Sequence, residues 1–232
     1  MAASSALPAD YTSVALLLNA IQRGNSRETK LLLRDNPALV RAVGPDGASA
    51  VLLAVYNGHP ELVPLFVEYG AQLDFFESCA AGDRDRALAL LEADPSLLGQ
   101  FSRDGYHGLG LAVFFGHREL AEDLLSRGAN VNTASANAQK VAALHSALAR
   151  SNVAMVRLLL SSGANPDAPQ AGGFTPLHAA AFHGSRELVD LLLAHGANPA
   201  RETPDGITPS RLAAERGHHD LAARLMQRQR AA

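Results

Sequence analysis

The chain has one cysteine, Cys79, and no tryptophan in 232 residues. A lone cysteine excludes an internal disulfide, so nothing covalent staples the fold, and a reducing, cytoplasmic compartment is expected. No apolar stretch reaches the length of a membrane span. Met1-Ala2-Ala3-Ser4-Ser5-Ala6-Leu7-Pro8 has neither the basic start nor the apolar run of a signal peptide, so no membrane association is expected. Charge of one sign is also missing. The formal net charge is −3, which provides no basic field for nucleic acid. The four arginines between Arg216 and Arg230 are diluted by Asp220 and read as a solvated helix face. Aromatics are sparse, with eight Phe and four Tyr, but a hydrophobic content of 47% is ample for a core and excludes a disordered chain.

What is present is a period. Gly173 and Gly206 lie 33 residues apart, as do Gly163 and Gly196, and His145, His178 and Arg211 follow the same step. A fixed spacing of this length means stacked units rather than one closed core. The best-formed unit starts at the Gly172-Gly173 turn. Thr175 is expected to cap a helix with its hydroxyl, and Pro176 suits the first helical position. Leu177, Ala180 and Ala181 then give a short helix one packed face, and Gly184 ends it. A second helix over Arg186 to Leu193 has a wide leucine face, stopped by Gly196.

Turn, Thr175-Pro176-Leu177-His178, helix, Gly184, helix, Gly196-Ala197-Asn198 resembles an ankyrin repeat. The pattern recurs over Val141 to Asp167, Asp104 to Asn132 and Asp46 to Asp74, and in a final unit opening at Asp205-Gly206-Ile207-Thr208-Pro209. Ser13 to Val40 and Phe75 to Leu98 are degenerate units. Aligning them exposes a 58-residue step from Gly24, Pro37, Gly47, Gly58 and Gly70 to Gly82, Pro95, Gly105, Gly116 and Gly128, as a tandem duplication of a two-repeat block would leave. The resemblance implies an all-α ankyrin-repeat solenoid of about seven helix-turn-helix units with short β-hairpin fingers. The expected layout is a tail over 1–10 and a single domain over 11–232, with units near 11–43, 44–74, 75–101, 102–132, 133–167, 168–200 and 201–232. Leu73-Asp74 runs directly into the next helix and leaves no room for a finger there, whereas Thr133 to Gln139 lengthens the following one by about two residues.

In this family partners bind the concave side, which the finger tips and the exposed side of each first helix form. Two helix positions before the mid-repeat glycine face it: here Tyr56 and Asn57, Phe114 and Phe115, Ala149 and Arg150, Phe182 and His183, among others. Tyr106 and Phe174 add finger positions. Exposed aromatics bury much area with few rotors to freeze, which suits a protein-binding hot spot. The same rings could pad the junctions between repeats, and spacing alone does not separate the two readings. Of the adjacent Phe114 and Phe115, one is expected to be packed away. Thr175, Pro176, His178 and His145 carry the structural roles that the resemblance implies, the histidines bonding to backbone between repeats.

Catalytic and metal constellations do not form. Gly105-Tyr106-His107-Gly108-Leu109-Gly110 has no preceding strand to make it a phosphate loop, and Gly108 and Gly110 stand where Pro and His stand elsewhere. His218-His219 are adjacent rather than one helical turn apart. Cys79 has no base beside it and reads as buried filler. His59 and His117 begin second helices and read as caps. Asp123 occupies the place of Leu65, Leu158 and Leu191, normally a core position, where Arg127 one helical turn away can pair with it unless the helix rotates locally outward. Pro64 should bend its helix slightly.

These residues imply a monomeric, non-catalytic module that binds another protein through its concave groove, with no cofactor, no metal and no nucleic acid. Two alternatives stay open: an inhibitor or immunity factor for a cytosolic toxin or enzyme, and an accessory subunit that completes another enzyme's site. Because stability in such a stack is a sum of local terms, the degenerate units are expected to fray first. Hydrogen exchange should show lower protection over 13–40 and 75–98 than over 141–200; uniform protection would contradict this.

Overall fold

Fourteen α-helices make up the regular structure of the computed structural model, which describes residues 11–231. The expected tail over 1–10 lies outside the described residues. The helices follow one another in pairs. The first four pairs are α1 (Tyr11–Gln22) with α2 (Ser26–Asp35), α3 (Ala50–Tyr56) with α4 (Val63–Glu68), α5 (Phe75–Ala81) with α6 (Arg84–Ala93), and α7 (Gly108–Phe114) with α8 (Arg118–Ser126). The last three are α9 (Ala143–Ala149) with α10 (Val153–Ser161), α11 (Pro176–Phe182) with α12 (Arg186–Ala194), and α13 (Pro209–Glu215) with α14 (His219–Ala231). Two compact units emerge. One holds α1 to α6 and the segment Phe101–Asp104; the other holds Leu98–Gln100 and α7 to α14.

Within each unit the first helices of successive pairs touch: α1 with α3 and α3 with α5, then α7 with α9, α9 with α11 and α11 with α13. Small residues make this approach possible. Ala50 and Ala54 in one unit, and Ala112, Ala143, Ala147, Ala180 and Ala181 in the other, are fully buried. The apolar faces close the layers from the second helices, with Leu33 and Phe66 in the N-terminal unit and Leu120, Leu124, Leu159 and Leu192 in the C-terminal unit all buried.

The loops after the second helices are stitched by side chains. Asn132 Oδ1 accepts from the Asn165 amide at 2.7 Å, its Nδ2 donates to the Gly163 carbonyl at 3.0 Å, and Asp167 Oδ1 accepts from the Asn198 amide at 2.9 Å. Hairpin pairing is minimal. Among the described residues only the bridges Val43↔Ser49 and Ala134↔Ala142 form, and the second encloses a stretch two residues longer than the first. Between α4 and α5 the chain passes straight into the helix, where Asp74 accepts from the Glu77 amide at 2.8 Å and Glu77 Oε2 accepts from the Asp74 amide at 2.9 Å. A hollow of about 360 Å³ lies beside this junction, lined by Val43, Gly47, Gln72, Glu77 and Arg103 among others.

Several local expectations need correction. Thr175 makes no side-chain cap bond to the α11 backbone. Its hydroxyl lies 2.8 Å from His178 Nδ1, which also accepts from the Thr175 amide at 3.1 Å, leaving Nε2 to donate to the Ile207 carbonyl at 2.9 Å. The imidazole therefore takes over the capping work and links two repeats. Thr208 does cap, accepting from the Arg211 amide at 3.2 Å, in the repeat where arginine replaces that histidine.

His59 and His117 occupy N-cap positions but make no side-chain cap bonds. The equivalent His218 shows what its position is for. Its Nε2 reaches the Phe182 carbonyl at 3.3 Å, and its ring lies where a β-carbon on Gly184 would be, 2.4 Å away. His59 sits the same way against Gly24.

Pro64 does more than bend a helix. With no amide at Pro64, the Pro60 carbonyl is bonded by the Val63 amide instead, so the segment starts as a 3-10 turn over Pro60–Leu62 and only then becomes α4. The proline-marked loops after α2 and α6 are likewise 3-10 turns, Pro37–Arg41 and Pro95–Gly99. Asp123 is half-buried rather than in a sealed core, as are Leu65 and Leu158, and Arg127 Nη1 lies 3.6 Å from its Oδ1. Cys79 is fully buried, which pushes its thiol up from the ordinary cysteine range.

In the repeat that begins at Gly105 the histidine has moved. His107 stands where Thr175 stands in its repeat, and Gly110 stands at the place of His178. The His107 ring fills the space that glycine vacates: its Nδ1 accepts from the Gly110 amide at 3.1 Å, and a β-carbon on Gly110 would lie 3.1 Å from its Nε2. Helix α7 forms despite its two glycines, both buried. Burial lowers the pKa of His107 to about 4, opposed only partly by the Thr133 backbone. Burial also lowers His145 and His178 against the pull of neighbouring backbone groups.

In the N-terminal unit Glu77 holds the place of His178. It accepts from Ser49 Oγ at 2.6 Å, and burial raises its pKa.

Two predictions follow from these contacts. Gly184→Ala is expected to cost about 2 to 4 kcal/mol, because alanine is strained at the positive φ of 67° held there and its methyl meets the His218 ring. Gly196→Ala, at φ 88° with open space around it, is expected to cost only about 1 kcal/mol. Urea denaturation checks the difference, and equal costs would refute the packing argument. The second prediction concerns pH. Below about 6.5 the unfolded chain binds protons that buried histidines refuse, so their contribution to stability is present above that pH and is lost as pH falls towards 4. His107→Gln should flatten the slope of unfolding free energy against pH between 6 and 4.5 by up to ~1.4 kcal/mol per pH unit. An unchanged slope would show that His107 titrates normally.

Candidate functional site

The first helices are seven residues long from α3 onward, so the two residues at their C-terminal ends fall at the same register in each repeat. In the N-terminal unit these ends are tied down. Tyr56 is half-buried and its hydroxyl donates to Asp104 Oδ2 at 2.7 Å, while Asn57 is exposed and bonds back to the Leu53 carbonyl of its own helix. The α5 end carries only Ala81 and Gly82 at this register.

The C-terminal unit differs. Phe182, the last residue of α11, is 37% exposed and stands edge-on to His183, with centroids 5.3 Å apart. The guanidinium of Arg216, from the end of the next first helix, lies 3.8 Å from the Phe182 ring centroid. The arrangement repeats at α7, where Arg150 lies 5.2 Å over the Phe114 ring. Each pair is a cation–π contact in which a basic residue of one repeat covers an aromatic of an earlier one.

Phe114 and Phe115 do not divide into one packed and one free ring. Both are half-buried and meet edge to face at 5.0 Å. Phe115 is the C-cap, off helical geometry at ψ 0°, which lets its ring turn back towards its neighbour.

A hollow of about 390 Å³ opens beside Phe182, with Phe174, His183, Leu212 and Arg216 in its wall and no carboxylate among its lining residues. Phe174 stands edge-on to His178 at 5.7 Å, and the buried His145 and His178 form part of the wall. Tyr106 is half-buried and its hydroxyl donates to Gln139 Oε1 at 3.2 Å, apart from this hollow. The structure thus brings together Phe174, Phe182 and His183, with Phe114, Phe115 and Arg150 in the same unit; Tyr56 and Asn57 belong to the other.

Arg216 is the second residue of the last groove-facing pair, Glu215 and Arg216, and a choice made by aromatic residues leaves it out of the candidate site. Its signal was the 33-residue step from Arg150 through His183, visible only when the second residue of each pair is followed instead of the first. Among the described residues no three His, Cys, Asp or Glu side chains converge as metal ligands, and no helix is long and apolar enough to cross a membrane.

Comparison with known proteins agrees with this architecture. A family profile described as ankyrin repeats (3 copies) matches residues 75–170 and 109–203, together more than half of the chain. The Notch-regulated ankyrin repeat-containing protein B of Danio rerio is 30% identical over 111 residues, covering 47% of this chain and 78% of that protein. Its Homo sapiens counterpart, Notch-regulated ankyrin repeat-containing protein, is 29% identical over 111 residues, covering 47% and 75%. The Mus musculus ankyrin repeat and SAM domain-containing protein 6 is 29% identical over 142 residues, which is 61% of this chain but 13% of that protein. With its period, its helix pairs and the histidine that links successive repeats, the chain belongs to the ankyrin repeat family.

Proposed function

We propose that this chain is a non-catalytic protein-binding module, a cytoplasmic monomer whose working surface is the face formed by the ends of α7, α9, α11 and α13. Ankyrin repeats are in general protein–protein interaction modules, which sets the class. The observation that carries the choice of surface is the partly exposed Phe182 beneath Arg216 at the edge of an open hollow. A ring that served only to pad the repeat junction would be buried on both faces. An aromatic anchor with a rigid guanidinium over it has little freedom left to lose on binding, which favours a hot spot. Phe114, Phe115, Arg150, Phe174 and His183 extend the surface, and Tyr106 stands beyond it. Tyr56 and Asn57 lie in the N-terminal unit and stand as a separate candidate contact.

The test is affinity capture from native cytosol with the wild-type chain beside Phe114→Ala/Phe182→Ala, after circular dichroism has shown the variant folded. A partner retained by wild type and lost by at least tenfold with the variant is expected. Equal retention would move the interface elsewhere on the molecule.

A further inference from the structure

Three consecutive repeats end their first helix in a basic residue at the same register: Arg150, His183 and Arg216, each 33 residues from the next. A basic residue at a helix C-terminus can be explained by the helix dipole alone. That account does not fit the two arginines, whose guanidinium groups lie over the rings of Phe114 and Phe182 from preceding repeats. Neither arginine has an ion pair or a side-chain hydrogen bond among the described residues. The nearest candidate in sequence, Glu215, is engaged by Arg211 at 2.9 Å. The wall of the adjoining hollow contains no carboxylate. Two guanidinium groups are therefore held on aromatic platforms with their donors unspent, and a third polar donor, His183, stands between them in the repeat order.

We infer that this column recognises an acidic segment of a partner protein, bound in extended conformation with one carboxylate per repeat. Neighbouring packed helices lie about 8 to 10 Å apart, and an extended chain in the polyproline II conformation advances about 3.1 Å per residue with three residues per turn, so that every third side chain shares one face. One rung therefore corresponds to about three residues, and the matching pattern is an acidic residue at every third position. An apolar side chain between the last two acids would enter the hollow beside Phe174, Phe182 and Leu212. Arginine suits this task because its planar fork pairs with a carboxylate while its face stays on the ring. The inference rests on the reading of this face as the protein-binding surface and specifies the chemistry of its partner.

The experiment is fluorescence anisotropy at low salt with a labelled nonapeptide carrying Glu at positions 2, 5 and 8 and Leu at position 6. The controls are the same composition with the three Glu contiguous, and the same peptide with Gln for Glu. Binding of the spaced peptide is expected. It should weaken roughly fivefold or more for each of Arg150→Ala and Arg216→Ala, and also for Arg216→Lys, which keeps the charge but loses the planar fork. Phe182→Ala, which removes no charge, should weaken it as well by taking away the platform. Circular dichroism establishes that each variant is folded.

Equal binding of the spaced and contiguous peptides would overturn the inference, because it would reduce the effect to bulk charge attraction. So would equal binding of the Gln peptide, no binding of any peptide, or a single-stranded oligonucleotide that binds more tightly than the spaced peptide. A captured partner lost with Phe114→Ala/Phe182→Ala but indifferent to Arg150→Ala and Arg216→Ala would refute the acidic column and leave the binding surface standing. A partner indifferent to both sets would remove the surface itself.

Discussion

A helix of seven residues has no stability of its own, because the cost of its first turn is spread over too few bonds. Six of the first helices here are that short, and most of the remaining architecture follows from the need to support them. They must be buried against their neighbours, which requires alanine at the contact. Burial then leaves polar groups at their N-termini with no water to satisfy them. His178 resolves this by accepting from its own repeat and donating to the next. The interaction that caps the helix is thus the same one that joins it to its neighbour, so the fold and the stacking are established together.

The two units meet this requirement with opposite chemistry. In the C-terminal unit a neutral imidazole reaches forward along the chain to the Ile207 carbonyl. In the N-terminal unit a carboxylate at the same register, Glu77, reaches back to Ser49. Burial disfavours the charged form of each, lowering the histidine pKa and raising that of the glutamate. Acid therefore works against the first arrangement and in favour of the second.

The period, the helix pairs and the turn glycines were legible in the sequence because backbone geometry enforces them at fixed spacing. Aromatic candidates were legible too, but their surroundings were not. Tyr56 and Phe182 occupy the same register, yet one is fastened to Asp104 and the other carries Arg216, since each environment is set by residues more than thirty positions away. Side-chain roles at helix starts were the least legible. Thr175, His59 and His117 all sit where caps belong, and none makes a side-chain cap bond; the Thr175 hydroxyl is at His178 Nδ1 and His59 Nδ1 lies 3.2 Å from Glu61, so local side-chain partners take the place of the backbone amide at the first two. Pro64 misled in degree: the lost amide changes the kind of helix, not only its direction.

The relocated histidine of the fourth repeat has a mutational consequence. His107 and Gly110 occupy one shared volume, so the residue acceptable at either position depends on the other. Restoring histidine at 110 alone would force two imidazoles into a space built for one. Replacing His107 alone would leave a void over a bare glycine. The two positions are thus coupled: a change at either is expected to cost stability unless the other changes with it.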